Sequence, residues 1–143
     1  MPPITVFLAD RKRTRRAACL RLLRPEKGVQ VVGEARSGLE ALAAARRRPR
    51  LLLLDWALAT EGEFALLRIL RKQSPETKVL LLTRPTSQAR LLDALAHGAR
   101  GYLDGRALRR FLPKAVRLVD AGEAWVPRKM VARILDRLPR LTA

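Results

Sequence analysis

Residues 51–54 are four consecutive leucines, and they run directly into Asp55. A strand with one wet face alternates apolar and polar residues, whereas one that is apolar throughout has to be covered on both faces. That is the habit of parallel sheets flanked by helices. Four further strand-like runs follow or precede it: "ITVFLA" at 4–9, "VQVVGEA" at 29–35, "KVLLLT" at 78–83 and the short "GYLD" at 101–104. Between them apolar residues recur every three or four positions, as in Leu66, Leu67 and Leu70 or Leu91, Leu92 and Leu95, which is a helical period. Ser37-Gly38, Gly62, Pro85 to Ser87, and Gly98 with Gly101 supply the breaks. The chain therefore reads as an α/β protein in which a strand–helix unit is repeated five times.

A length of 143 residues with 48% hydrophobic side chains suits one domain with a single sizeable core. The expected division is a domain over residues 1–124 and a helical extension over 125–143. One cysteine, Cys19, falls on the apolar side of a helical pattern, which leaves no disulfide framework and no cysteine metal site. No apolar run approaches the roughly 18 residues that span a bilayer, and "MPPITVFLAD" reads as a strand rather than a leader. A reduced, cytoplasmic setting is expected.

In open sheets of this kind ligands and chemistry gather outside the carboxyl ends of the strands. Asp10, Asp55 and Thr83 end the first, third and fourth strands, so three short polar groups share one rim. No Walker-type glycine loop, Cys/His metal set or Ser-His-Asp ordering competes with them, and His97 reads as structural.

With those residues in place the chain resembles a response-regulator receiver domain of the CheY-like superfamily, of the type that usually precedes a helix-turn-helix output domain. The resemblance runs from residue 4 to about 126 and is carried, in order, by "VFLAD", "VVGEARSGLEAL", "LLLLD", "SPETKVLLLT", "HGARGYL" and "GEAWVP". It implies a doubly wound, flavodoxin-like five-stranded parallel sheet of order 2-1-3-4-5, with an extra C-terminal helix. It also implies a phosphorylation switch with a divalent cation, in which Asp55 matches the phosphoacceptor, Asp10 an acid of the metal site, and Thr83 and Tyr102 the switch positions.

Three departures weaken that switch. Arg11 stands where such receivers carry a second acid, Gly105 where they carry a lysine, and "WALATEGE" follows the acceptor in place of a Met-Pro-Gly-like turn. Mg2+ needs several oxygen ligands in near-octahedral order, so weak or absent Mg2+ binding is expected and no cofactor is assigned. Arg11 is expected to place a guanidinium where the metal would sit. The reading is of a stand-alone pseudo-receiver, not an enzyme, that signals through protein contacts as a homodimer. Its contact surface is expected on the fourth helix, fifth strand and fifth helix, with Tyr102 and Thr83. A working Asp55 phosphoacceptor is one alternative.

The other alternative rests on charge. Thirty Lys and Arg against thirteen Asp and Glu give +17, a field that attracts polyanions. "RKRTRR" at 11–16 opens the first helix, and Arg106, Arg109, Arg110, Lys114 and Arg117 line the fifth. The resemblance puts both helices on one side of the sheet, so Arg13, Arg16, Arg109, Arg110 and Lys114 should share a basic face able to meet nucleic acid. "RRRPR" at 46–50 is expected to be solvated surface. Val131, Ile134, Leu135 and Leu138 form an apolar stripe on the C-terminal helix, for packing or for a dimer seam.

Overall fold

The computed structural model describes residues 2–83 and 87–142. Its strands are β1 (Ile4–Ala9), β2 (Val29–Ala35), β3 (Leu51–Asp55), β4 (Lys78–Thr83) and β5 (Ala99–Asp104). They form one parallel sheet in the order β2-β1-β3-β4-β5. The helices are α1 (Arg13–Leu23), α2 (Gly38–Ala41), α3 (Ala43–Arg47), α4 (Trp56–Thr60), α5 (Ala65–Gln73), α6 (Gln88–Ala96), α7 (Leu108–Asp120) and α8 (Arg128–Thr142). A 3-10 turn over Gly105–Ala107 leads into α7. No described helix is long and apolar enough to cross a membrane.

The leucine run behaves as its composition requires. Leu52 and Leu54 point with Phe7, Ala9 and Leu81 toward the layer made by α2 to α6, while Leu51 and Leu53 point with Val6, Leu8, Leu80 and Leu82 toward α1 and α7. Every residue of β3 is buried, Asp55 included. Successive side chains of a strand face opposite ways, so a run apolar on both faces is the signature of a central strand between two helical layers. Cys19 and Leu23 of α1 and Leu112, Val116 and Val119 of α7 close the second layer.

After α7 the chain returns to the sheet. The Trp125 amide donates to the Arg100 carbonyl at 3.0 Å, and its carbonyl accepts from the Tyr102 amide at 3.1 Å, so one residue is added alongside β5. The sequence prepares the place with Gly101, whose φ is +156° and where a Cβ would run into the Trp125 backbone. The Trp125 indole packs on Phe111 of α7, with ring centroids 5.8 Å apart.

α8 then crosses α6. Met130 is fully buried against Leu91 and Leu92, with Trp56, Leu95, Tyr102, Val126 and Ile134 around them. Arg133 donates to the Gln88 side chain, and Arg137 meets Asp93 at 3.3 Å. The four residues expected to form one apolar stripe are thereby divided. Ile134 packs inward together with Met130, while Val131, Leu135 and Leu138 remain exposed. The face of α6 and β5 around Tyr102, read from the sequence as an open contact surface, is largely covered by this segment of the chain itself. The "RRRPR" run is also more engaged than a solvated surface: Arg50 makes a two-bond fork to Asp120, at 2.8 and 2.9 Å.

Replacing Gly101 with alanine sets a side chain against the Trp125 carbonyl in a backbone conformation that L-residues rarely adopt. The expected loss is about 1–3 kcal/mol in urea unfolding. Trp125 should become more quenchable at urea concentrations where the sheet is still intact.

A buried carboxylate pair held by an arginine

β1 and β3 are neighbours, and each delivers one acid at its carboxyl end. Asp10 and Asp55 are both fully buried. Asp55 caps the helix that follows it: one carboxylate oxygen accepts from the Leu58 amide at 2.7 Å. An aspartate before a helical segment readily takes this role. The chain beyond the acceptor, where "WALATEGE" stands in place of a Met-Pro-Gly-like turn, is therefore helical from Trp56 to Thr60. The other Asp55 oxygen accepts from the Arg11 amide, also at 2.7 Å.

Asp10 accepts from the Lys12 amide at 2.8 Å and is gripped by Arg15. The Arg15 guanidinium donates through Nε to one oxygen and through Nη2, at 2.9 Å, to the other. The same Nη2 lies 3.8 Å from Asp55 Oδ2, so one cation spans both acids. Arg15 is only 17% exposed, whereas Arg11, which reads in the sequence as the cation at this site, is 61% exposed. Its guanidinium comes no nearer to Asp55 than 3.9 Å, and its closer contribution is the main-chain amide. Arg15 is thus the residue missed in the sequence. The signal was available: Arg15 stands one turn before Cys19 and two before Leu23, on the buried stripe of α1.

Burial pushes the Asp10 carboxyl above its ordinary pKa, the Arg15 fork and the Lys12 amide pull it back, and the neighbouring Asp55 pushes it up again. Burial alone would lower the Arg15 pKa, but Asp10 and Asp55 outweigh it and hold the guanidinium above its usual value. Cys19, beneath this cluster, is pushed up to about 12 by burial, with the Asp10 charge adding to it and Arg15 opposing.

The other expected residues lie as follows. Thr83 ends β4 beside Asp104, and its side chain lies outside the described part of the structure. Tyr102 is half-buried against Leu91, Leu92 and Met130. Gly105 opens the 3-10 turn, and the adjacent Arg106 is exposed with its guanidinium on Asp104 at 3.4 Å, so it does not replace a lysine at the acceptor. Arg16 departs from the expected basic face. It turns inward to donate to the Asp10 carbonyl at 2.7 Å and is only 16% exposed. His97 is structural: its ring meets the Asp93 carbonyl at 2.8 Å and stacks on Phe64 at 5.0 Å.

The donor set does not fit a hexacoordinate cation. Each oxygen of both carboxylates already accepts from an amide or a guanidinium. Among the described residues no three His, Cys, Asp or Glu side chains come together as metal ligands.

A doubly wound parallel sheet of this order is the flavodoxin-like arrangement that receivers share. The model of the response regulator receiver domain matches residues 6–117, and the chain belongs to that family. It is 33% identical over 136 residues to the DNA-binding transcriptional activator DevR/DosR of Mycobacterium tuberculosis, covering 94% of this chain and 63% of that protein. It is 32% identical to the response regulator GacA of Pseudomonas protegens, covering 92% of this chain and 62% of the relative. The chain thus spans less than two thirds of these relatives. Among solved structures it is similar to the receiver domain of the putative response regulator NarL of M. tuberculosis. The TM-score is 0.77 at 28% identity, covering 86% of this chain and all of that one. The apo receiver domain of RcsB from Salmonella enterica shares the fold at 21% identity, with a TM-score of 0.79 over 93% of this chain and 98% of that one.

Two outcomes test the cluster. Arg15→Gln leaves two buried acids without their cation and should cost roughly 3–5 kcal/mol near neutral pH. A raised carboxyl pKa favours the fold below the unfolded value near 3.9 and loses that contribution as pH rises through the folded value. The deficit of Arg15→Gln should accordingly shrink as the pH of urea titrations is lowered toward 4. Cys19 should resist a thiol-exchange reagent at pH 8 in the folded chain and react at the unfolding rate, a measurement made by following the released chromophore.

Proposed function

We infer that this chain is a pseudo-receiver: a receiver that relays a signal through protein contacts and not through Mg2+-dependent phosphorylation of Asp55. The observation that carries the reading is the Arg15 guanidinium on Asp10 and Asp55. Phosphoryl transfer depends on positioned positive charge around the equatorial oxygens and on an in-line approach to the acceptor. Here the acceptor carboxylate is buried, both its oxygens are engaged by main-chain amides, and it serves as the cap of α4. An added phosphoryl group would break that cap and displace the guanidinium. The fork fixes one arrangement of the rim, and a fixed charge cannot come and go as an ion does.

The working contact in this reading is a second copy of the chain. Among the described residues the exposed large hydrophobics Val131, Leu135 and Leu138 lie along α8 at intervals of four and three residues. Such a stripe suits a helix–helix seam between two copies. The protein acts in the cytoplasm and is not an enzyme.

Incubation with a small phosphodonor and magnesium, followed by intact-mass measurement, should show no added phosphate. A stable adduct on the wild type that is absent from Asp55→Ala would show a working acceptor. Trp56 fluorescence should stay flat through low-millimolar magnesium. Light scattering coupled to size exclusion should report a dimer, and Leu135→Glu should return it to the monomer mass.

A further inference from the structure

α1 and α7 lie side by side on one layer and share a core through Cys19, Leu23, Leu112 and Val116. Their outer sides carry a different population. Arg13 and Arg21 of α1 and Arg24 at its C-cap are exposed, and at 100° per residue they fall within an arc of about 80°. Arg109, Arg110 and Lys114 of α7 are exposed within an arc of about 140°. Both arcs point away from the shared core.

Among the described residues no acid is paired with them. α1 contains none, and Asp120, the acid of α7, is held by the two-bond fork from Arg50. Glu26, between α1 and β2, is taken by Arg117 at 2.9 Å. Among the described residues none of the six cations makes an ion pair; Arg110 instead lies over the Phe111 ring at 5.3 Å. Arg15 and Arg16 of the same helix are turned inward onto Asp10 and so take no part. Like charges crowded without partners repel one another, and an incoming polyanion relieves that repulsion.

The surface also says what the polyanion is. Among the described residues the exposed large hydrophobics, Leu39, Val131, Leu135 and Leu138, all lie on other elements. A protein interface is anchored by aromatic or aliphatic side chains at its centre, and a membrane-binding helix buries an apolar face; this surface offers neither. Packed helices have axes roughly 8–10 Å apart, so the two rows of cations can straddle a minor groove of about 6 Å. We propose that the α1–α7 face docks on the phosphate backbone of duplex nucleic acid, without reading its sequence. The contact is separate from the carboxylate cluster and does not depend on the state of Asp55.

Fluorescence anisotropy of the 143-residue chain with a labelled random-sequence duplex between 50 and 200 mM salt tests it. Five or six neutralised phosphates give a slope of log affinity on log salt of about −4.5 to −5.5. The double variant Arg13→Glu/Arg110→Glu should bind at least about tenfold more weakly, whereas Arg13→Lys/Arg110→Lys should bind like the wild type. Arg46→Glu/Lys72→Glu makes the same change in net charge on the opposite layer and should leave affinity within about twofold. A slope shallower than about −2 would overturn the proposal. So would equal loss in both glutamate variants, which would show net charge acting without a face, or equally tight binding to polyglutamate or to phosphatidylserine vesicles.

Discussion

The fork from Arg15 to Asp10, with its reach to Asp55, is the interaction on which the rim of this sheet depends. Two carboxylates come to the carboxyl ends of adjacent strands because β1 and β3 are neighbours and because each strand ends where its apolar run ends. Asp10 cannot keep its charge there unaided, since burial opposes its ionisation and so does the neighbouring Asp55. A guanidinium supplies positive charge and two parallel donors in one rigid plane, and its charge does not depend on pH or on any ion in solution. The amides of Arg11, Lys12 and Leu58 complete the solvation of the pair.

The same interaction explains an otherwise unfavourable feature of α1. A first turn built from Lys12, Arg13, Arg15 and Arg16 sets cations against the positive end of the helix dipole. Asp10 offsets this by lying just before the helix and accepting from the Lys12 amide, while Arg15 and Arg16 fold back onto its side chain and carbonyl. The cluster and the helix therefore stabilise each other. Arg13, Arg21, Arg24, Arg109, Arg110 and Lys114 have no such role, whereas Arg117 of α7 ties that helix to Glu26 and the Lys27 carbonyl.

Much of this was legible in the sequence, because strand composition and helical period follow directly from burial. The leucine run fixed β3 as a central strand, and the resemblance supplied the order that the sheet adopts. The two acids were legible as well, since both close apolar runs. What could not be read was which arginine turns inward. Arg11 is nearer in sequence to the aspartates, but it precedes α1, whereas Arg15 sits on the helical stripe of Cys19 and Leu23. Arg16 was misread for the same reason, as one of a row of cations whose directions depend on where the helix begins. The helical start after Asp55 was hidden too: "WALAT" has no glycine or proline, and its cap is the acid itself. The division of the α8 stripe followed from Met130, which the helical period brought close to Ile134 but the reading left out.

Trp56 is the residue immediately after the capping acid, and it belongs to two neighbourhoods at once. Its ring meets Phe64 edge-on at 6.0 Å, and it also packs into the cluster where Met130 anchors the last helix. A tilt of the short helix that Asp55 starts would move the floor on which α8 rests. The indole is thus a mechanical joint between the rim and the far end of the polypeptide, and a disturbance at the acids can reach the tail without passing through the centre of the sheet.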